Sequence, residues 1–424
     1  MTVEKLHNLF LEFPNACIDT RKIVEGCIFF ALTGDNFNGN EFAQKAIKNG
    51  ASYAIIDQEE YKISNKTILV KNVLKTLQEL STYHRRYCST KIIALTGSNG
   101  KTTTKELINV VLSKKYRTVA TKGNLNNHIG VPLTLLSITK ETEIAIVEMG
   151  ANHLGEIAFL CNITQPDFGY ITNFGKAHLE GFGSIEGVVK GKSELYEYLI
   201  THKKSIFLNA DDSIQLEKLG TYIKKIGYST NNHKFYPIDF LNANPFVSMQ
   251  FEETTVTSQL IGSYNFTNCC AAILMGKYFN IPLKDIKNAI EHYTPKNNRS
   301  QIITKNGHYI ILDAYNANPS SMEAALKNFK KNKDKNKIIF LGDMFELGKY
   351  AVVEHQNIVD SISKMSFDKV YLIGENFYET KTSYQKFKSF DELEKNLKKN
   401  TVEKSTILIK GSRSMALERI LELL

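Results

Sequence analysis

Lys91-Ile92-Ile93-Ala94-Leu95-Thr96-Gly97-Ser98-Asn99-Gly100-Lys101-Thr102-Thr103 is the stretch whose reading decides the fold. It opens as a short apolar run of the kind buried in a parallel sheet. It breaks at a Gly-rich turn and continues into a helical pattern, with Leu107, Ile108, Val111 and Leu112 on one face. Strand, glycine turn and helix in that order are the setting a phosphate-binding loop requires. Glycines let backbone N–H groups close around phosphate oxygens, and the helix N-terminus adds partial positive charge. Lys101 is spaced to reach the β- and γ-phosphates of a nucleotide, and the Thr102 hydroxyl to face Mg2+. The loop is a shortened one. Position 95 is Leu where the commoner pattern has its first Gly, which leaves Gly97-Ser98-Asn99-Gly100-Lys101-Thr102-Thr103.

The pattern extends on both sides. Apolar runs at 144–147, 168–172 and 205–208 read as further strands between helical segments, and helices are expected near 265–279 and 283–292. Strands alternating with helices predict a parallel sheet covered on both faces. Residues 86–296 therefore form an expected central α/β domain. Residues 1–85 hold short apolar runs at 27–32, 53–57 and 67–70 between Gly/Asn turns, a small α/β unit. Its last segment, 73–87, reads as a helix, with Leu74, Leu77 and Leu80 at three-residue spacing. From residue 297 the pattern restarts. Runs at 301–304 and 309–313 flank Asn306-Gly307, a hairpin signal, and strands at 337–341, 369–373 and 406–409 each precede a helical segment. Residues 297–424 are thus a second parallel α/β domain, with Pro295 and the polar run 296–299 as the linker.

Composition agrees with a chain of this plan. Its 424 residues suggest about three domains at roughly 150 residues each. At 42% hydrophobic and 23% charged residues, disorder is excluded. No apolar run approaches the roughly 20 residues of a membrane helix. Glu4, Lys5, His7 and Glu12 make the first residues unlike a secretory signal. Six cysteines without a C-x-x-C spacing speak against zinc or a disulfide framework and for reduced thiols. The net charge of +9 is spread along the chain, and its densest cluster, 327–337, reads as a solvated face rather than a nucleic-acid site. A cytoplasmic monomer is the expectation, with no nucleic acid and no membrane insertion.

Five further motifs follow the loop in order. They are Gly123-Asn124-Leu125-Asn126-Asn127-His128-Ile129-Gly130-Val131-Pro132, Glu148-Met149-Gly150-Ala151-Asn152-His153, His178-Leu179-Glu180-Gly181-Phe182-Gly183, Asp313-Ala314-Tyr315-Asn316-Ala317-Asn318-Pro319 and Lys410-Gly411-Ser412-Arg413-Ser414-Met415. With the loop, this series resembles the Mur ligase family, ATP-dependent enzymes that build the peptide of the peptidoglycan precursor. The likeness spans nearly the whole chain. It implies a UDP-substrate domain, a central ATPase domain and a C-terminal Rossmann-like domain. Within the family the motifs are most similar to the member that adds D-alanyl-D-alanine to UDP-N-acetylmuramoyl-tripeptide through an acyl phosphate. ATP and Mg2+ are the implied cofactors.

The resemblance also implies residue roles. Glu148, at a strand end on the crevice side of the sheet, suits Mg2+, and His178 corresponds to the family's second metal ligand. Lys192 corresponds to a lysine that CO2 can carbamylate, with Lys190 as the competing position. Lys101, Glu148, His178 and Lys192 form the expected catalytic set. The expected metal set is Thr102, Glu148, His178 and Lys192. Gly262-Ser263-Tyr264-Asn265-Phe266-Thr267-Asn268 resembles the family's adenine segment, with Tyr264 in place of His and Asn265 as the adenine contact. Arg299 is expected on the ATP phosphates, although Asn298 replaces the usual Gly before it. Asp313 is expected to hold the ribose or to orient the Arg. Thr20, Arg21 and Asn36 belong to segments like the family's uridine-diphosphate site. Asn126, Asn127, Asn316, Asn318, Ser412 and Arg413 are expected substrate or closure contacts, with Arg413 open between a dipeptide carboxylate and an interdomain salt bridge.

Three other activities share parts of this pattern: a Mur-type or folylpolyglutamate-synthetase-like ligase with another amine, a P-loop switch, and a P-loop kinase. The switch would need neither Lys192 nor His178. Because Asp313 and Arg413 lie far from Lys101 in sequence, the C-terminal domain is expected to swing toward the phosphate loop.

Overall fold

Ile92, Ile93, Ala94 and Leu95 are wholly buried because their strand lies inside a sheet covered on both faces. The computed structural model describes residues 1–295, 298–332, 334 and 336–424. Lys296 and Asn297 of the expected linker, and Lys333 and Lys335 of the basic cluster, lie outside the described residues. The central sheet has seven parallel strands in the order Tyr236–Pro237, Lys225–Ser229, Ser205–Asn209, Phe168–Ile171, Lys91–Thr96, Ile144–Glu148 and Thr118–Ala120. Successive side chains of one strand face opposite ways. Ile93 and Leu95 accordingly pack with Leu107, Ile108 and the helix Phe266–Tyr278 on one face. Ile92 and Ala94 pack with Val131, Leu160 and Leu195 on the other.

The chain then forms an antiparallel sheet of Asp239–Ala243, Phe246–Phe251 and Thr254–Ile261, which the sequence pattern does not announce. The reasons are local. The last strand alternates as expected, but Ser258 occupies an inward position between Val256 and Leu260, so the apolar period is interrupted. Its hairpin turns on Glu252-Glu253, with Glu252 at φ +50°, and lacks the Asn-Gly signature such turns favour.

Before the central sheet, four parallel strands (Ala16–Cys17, Ile28–Phe30, Tyr53–Ile56, Thr67–Leu69) pack on the helices Val3–Glu12 and Val73–Cys88. The longer helix is capped by the Asn72 side chain on Lys75 N and stops at Ser89, at φ +53°. It carries a histidine relay into the central unit. His84 Nε2 lies 2.7 Å from Ile138 O, which can only accept, so that nitrogen holds the proton. His84 Nδ1 then accepts from His7 Nε2 at 3.0 Å.

Burial, and then the neighbouring His84, push His7 down to about 4. Between about 4 and 6.5 the unfolded chain binds more protons at this site than the folded one. Stability conferred above the ordinary histidine range is therefore lost as pH falls toward 4. Melting temperatures of the wild type should drop across that window, and His7→Leu should drop less steeply. Parallel curves from calorimetry would contradict this.

The C-terminal sheet has six strands in the order Gln301–Lys305, His308–Asp313, Thr406–Lys410, Lys337–Gly342, Lys369–Ile373 and Gln385–Phe387. The first pair is an antiparallel hairpin through Asn306-Gly307, at φ +49° and +83°, and the other pairs are parallel. After Lys410 the chain runs in short 3-10 turns, Arg413–Met415 and Leu417–Leu423, where a helix was expected. No helix among the described residues is long and apolar enough to cross a membrane.

Candidate active site

The strand Lys91–Thr96 ends in a loop moulded by its neighbours. Gly97, at φ +141°, lies so close to Thr172 that a Cβ there would sit 2.0 Å from its Oγ1. Gly100, at φ +78°, meets Asn268 Oδ1 at 2.5 Å in the same sense. Asn173 receives Asn99 N on its side chain and Ser98 N on its carbonyl. Thr172 Oγ1 donates to Asn99 O at 2.6 Å. Lys101 curls back to donate to Gly97 O at 2.7 Å and Ser98 O at 3.3 Å. Burial pushes its amine below the ordinary lysine value.

Glu148 stands beside Leu95 in the sheet register and is 1% exposed. Its Oε2 accepts from Thr102 Oγ1 and its Oε1 from Asn126 Nδ2, both at 2.9 Å. No cationic side chain among the described residues lies within ion-pair distance of it. A buried carboxylate that faces two neutral donors at a cavity wall fits a divalent cation, whose charge would offset the cost of burial. Asn126, expected as a substrate contact, is therefore the amide that holds Glu148. Asn127 is exposed at the cavity, and its Oδ1 accepts from Gly130 N at 2.9 Å.

His178, at φ +53°, brings Nδ1 to 2.6 Å from Glu346 Oε2, off the line of an ideal hydrogen bond. Lys192 is wholly buried, donates to Ala151 O at 2.9 Å and lies 4.9 Å from the centre of the Phe182 ring. Burial, and then Lys101, push its amine well below the ordinary value. A lowered pKa raises the neutral share of the amine, and the neutral form has the lone pair that addition to CO2 requires.

One cavity of about 560 Å³ joins Lys101, Glu148 and His178 to the C-terminal sheet, whereas Lys192 does not line it and lies behind Ala151. Its lining includes Ser98, Asn99, Gly100, Lys101, Thr102, Thr103, Asn126, Asn127, Glu148 and His178 from the central unit. Asn265, Arg299, Asp313, Asn316, Asn318 and Lys410 complete it. Asn265 donates to Ile261 O and accepts from Asn268 Nδ2, which leaves one amide hydrogen and one lone pair for a ligand. Tyr264 reaches Ser300 Oγ at 3.0 Å. Asn298 takes φ +57°, a left-handed conformation that Asn tolerates in place of Gly. The Arg299 guanidinium stacks 3.7 Å from the centre of the Tyr315 ring. Asp313 accepts from Lys410 Nζ at 2.6 Å and from Ser300 N at 3.2 Å, while Asn318 caps the next helix. Asn318 Nδ2 also donates to Asn99 Oδ1 at 2.8 Å, so the C-terminal domain rests on the phosphate loop.

Other expected residues lie outside this cavity. Ser412 is buried and accepts from Phe345 N. Arg413 pairs with Glu418 of its own domain, so it forms no interdomain bridge. Arg21 pairs with Asp19 at 2.8 Å and its side chain is 85% exposed. Thr20 sits in the short turn Thr20–Lys22, and Asn36 in the exposed turn between Thr33–Gly34 and Phe37–Asn38. Sequence reasoning missed Lys410, Tyr315 and Glu346. The first two stood inside quoted motifs without a spacing that marked them.

Comparison with known proteins agrees with this architecture. Family models described as Mur ligase family, catalytic domain, as Mur ligase middle domain and as Mur ligase, glutamate ligase domain match residues 14–86, 95–276 and 298–413. The UDP-N-acetylmuramoyl-tripeptide–D-alanyl-D-alanine ligase of Buchnera aphidicola subsp. Baizongia pistaciae is 36% identical, over 95% of this chain and 90% of that protein. The Bacillus subtilis strain 168 protein of the same name is 33% identical, over 95% and 91%. A crystal structure of MurF from Acinetobacter baumannii superposes with a TM-score of 0.85 at 28% identity, covering 99% of this chain and 98% of that one. MurF ligase from Thermotoga maritima in complex with ADP gives 0.84 at 25% identity, covering 97% of each chain. With three matched segments from residue 14 to residue 413 and relatives alike over nearly their full length, the chain belongs to the Mur ligase family.

Proposed function

We propose that this chain joins D-alanyl-D-alanine to UDP-N-acetylmuramoyl-tripeptide with cleavage of ATP to ADP and phosphate. The product is the UDP-muramoyl-pentapeptide that peptidoglycan synthesis, and with it cell shape and division, consumes. The observation that carries this reading is the single cavity lined both by the phosphate loop and by Asp313, Asn318 and Lys410 of the C-terminal domain. Ligation needs a nucleotide and an incoming amine in one enclosure. A switch protein does not.

The chemistry follows from that enclosure. The tripeptide carboxylate attacks the γ-phosphorus, the bond to the β-phosphate oxygen breaks, and ADP and an acyl phosphate form. The dipeptide amine then attacks the acyl carbon, the C–O bond to phosphate breaks, and the amine proton is lost as the amide forms. Loop N–H groups and Lys101 would carry the phosphate charge, with Arg299 held flat by Tyr315. Asn265 would meet the adenine edge, and Asp313, anchored by Lys410, the ribose. Thr102, Glu148, His178 and Lys192 as its carbamate would hold Mg2+, which supplies charge neutralisation at the phosphates when bound. Thr20, Arg21 and Asn36 would take the uridine diphosphate in the first 85 residues. Asn316 and Asn318 lie on the side from which the dipeptide would approach. Because the reaction consumes ATP, we place it in the cytoplasm.

Phosphate release tests the reading. It should require ATP, the UDP-muramoyl-tripeptide and D-alanyl-D-alanine together. Release with L-amino acids in place of the dipeptide would point to another Mur-type ligase. Release with neither acceptor nor amine would overturn the proposal.

A further inference from the structure

The segment Leu341-Gly342-Asp343-Met344-Phe345-Glu346-Leu347-Gly348 carries no motif used above, yet its construction is exacting. Asp343 N donates to Ile373 O, Met344 N to His355 Nε2 and Phe345 N to Ser412 Oγ, all at 3.0–3.1 Å. The Asp343 carboxylate, buried, takes Asn376 N and Phe377 N at 2.9 Å. Each backbone group leading to Glu346 is thereby fixed. Glu346 itself stands at φ +61°, and the residue it meets across the domain gap, His178, at φ +53°. Two non-glycine residues in the left-handed region, face to face, mark a place where the surrounding structure over-determines the backbone. The two segments are tied beside the contact, Glu180 N donating to Glu346 O at 3.1 Å and Tyr350 Oη to Gly183 O at 3.1 Å.

We infer that Glu346 is a positioning residue for His178, supplied by the C-terminal domain and engaged when that domain docks. A carboxyl oxygen 2.6 Å from Nδ1 requires a proton between the two atoms, because two lone pairs cannot approach so closely, and an ionised Glu346 puts it on Nδ1. Nδ1 is shut off from solvent, and His178 lines the cavity, so Nε2 is the ring nitrogen left for a ligand. Carboxylates behind metal-binding histidines commonly fix tautomer and ring orientation in this way. Ser412 gains a role too, as the hydroxyl that holds the loop rather than a substrate contact. The inference rests on the proposed nucleotide–metal site.

The test uses the full chain, labelled with 15N-histidine and saturated with ADP with Mg2+ withheld, because a metal on Nε2 would itself force the proton onto Nδ1. His178 should show the Nδ1–H tautomer in the wild type and in Glu346→Gln, which keeps an acceptor. In Glu346→Ala it should show a mixture of tautomers. Glu346→Ala should lower kcat about 10- to 100-fold and add nothing further in a His178→Ala background. Unchanged ring signals in Glu346→Ala, or losses that multiply in the double variant, would overturn the inference. If Glu346→Ala fails to accumulate, Glu346→Asp, with the carboxylate withdrawn by one methylene, is read in the same two ways. The ring measurement needs no peptide substrate, so a wrong acceptor would appear in the phosphate-release assay and leave this result standing.

Discussion

Lys101→Ala should lower kcat/KM for ATP by on the order of 10²- to 10³-fold while the fold survives. The side chain now spends its donors on Gly97 O and Ser98 O, two carbonyls of its own loop. Neither bond links separate elements, so neither is needed for packing. Burial has lowered the amine's pKa. The folded chain therefore binds the Lys101 proton less tightly than the unfolded chain does. Below the ordinary lysine range this charge works against the fold, and alanine removes that cost. Circular dichroism should match the wild type and the urea midpoint should be no lower than the wild type's, while ATP-dependent phosphate release collapses. Retained activity would remove the phosphate-loop argument altogether.

Lys192→Ala should be as damaging to turnover, on the order of 10²-fold or more by analogy with the loss of other metal-site groups, and it should be rescued in part by added acetate or formate. Three facts lead there. The amine is wholly buried, it has Ala151 O as its one hydrogen-bond partner, and its pKa is well below the ordinary value. As a neutral amine it is reactive toward CO2, and the carbamate so formed carries a negative charge where an ammonium would repel a metal ion. A small carboxylic acid can occupy the space alanine vacates and restore that charge. Lys192→Met separates the structural from the chemical role. It keeps the volume and removes the amine, so the rise in wild-type stability with pH from the depressed pKa toward 10.5 should flatten, without rescue. Equal kinetics for wild type and Lys192→Ala would eliminate the carbamate.

The central strand, loop and helix at 91–112 were legible because three independent signals coincide there: an apolar run, glycines where φ turns positive, and a 3.6-residue period. The sheet at 239–261 was not, since Ser258 interrupts its period and Glu252-Glu253 turns without Gly or Asn. In the site, a residue type told less than its neighbours do. Asn126 reads as a substrate amide, and one of its amide hydrogens goes to Glu148, 22 residues further on, which its residue type alone does not announce. Glu346 was invisible because its partner, His178, lies far away in sequence and meets it through a docked domain. Arg413 is open in sequence between a dipeptide carboxylate and an interdomain salt bridge, and the fold sets Glu418 of its own domain beside it. Charges name possible partners, but only folding decides which of them are within reach.

The close packing of Gly97 on Thr172 and of Gly100 on Asn268 has a consequence for descent. The phosphate cradle is not an autonomous cassette that could be transplanted or reshaped by changing its own residues. Half of its outline is cast by a strand end some seventy residues later and by a helix more than a hundred and sixty residues later. A lineage that enlarged either glycine would meet Thr172 or Asn268 and would also strain a backbone held at φ +141° or +78°, so shrinking the neighbour would not be enough. Swapping the loop alone between distant relatives should therefore yield chains that fold but bind nucleotide poorly.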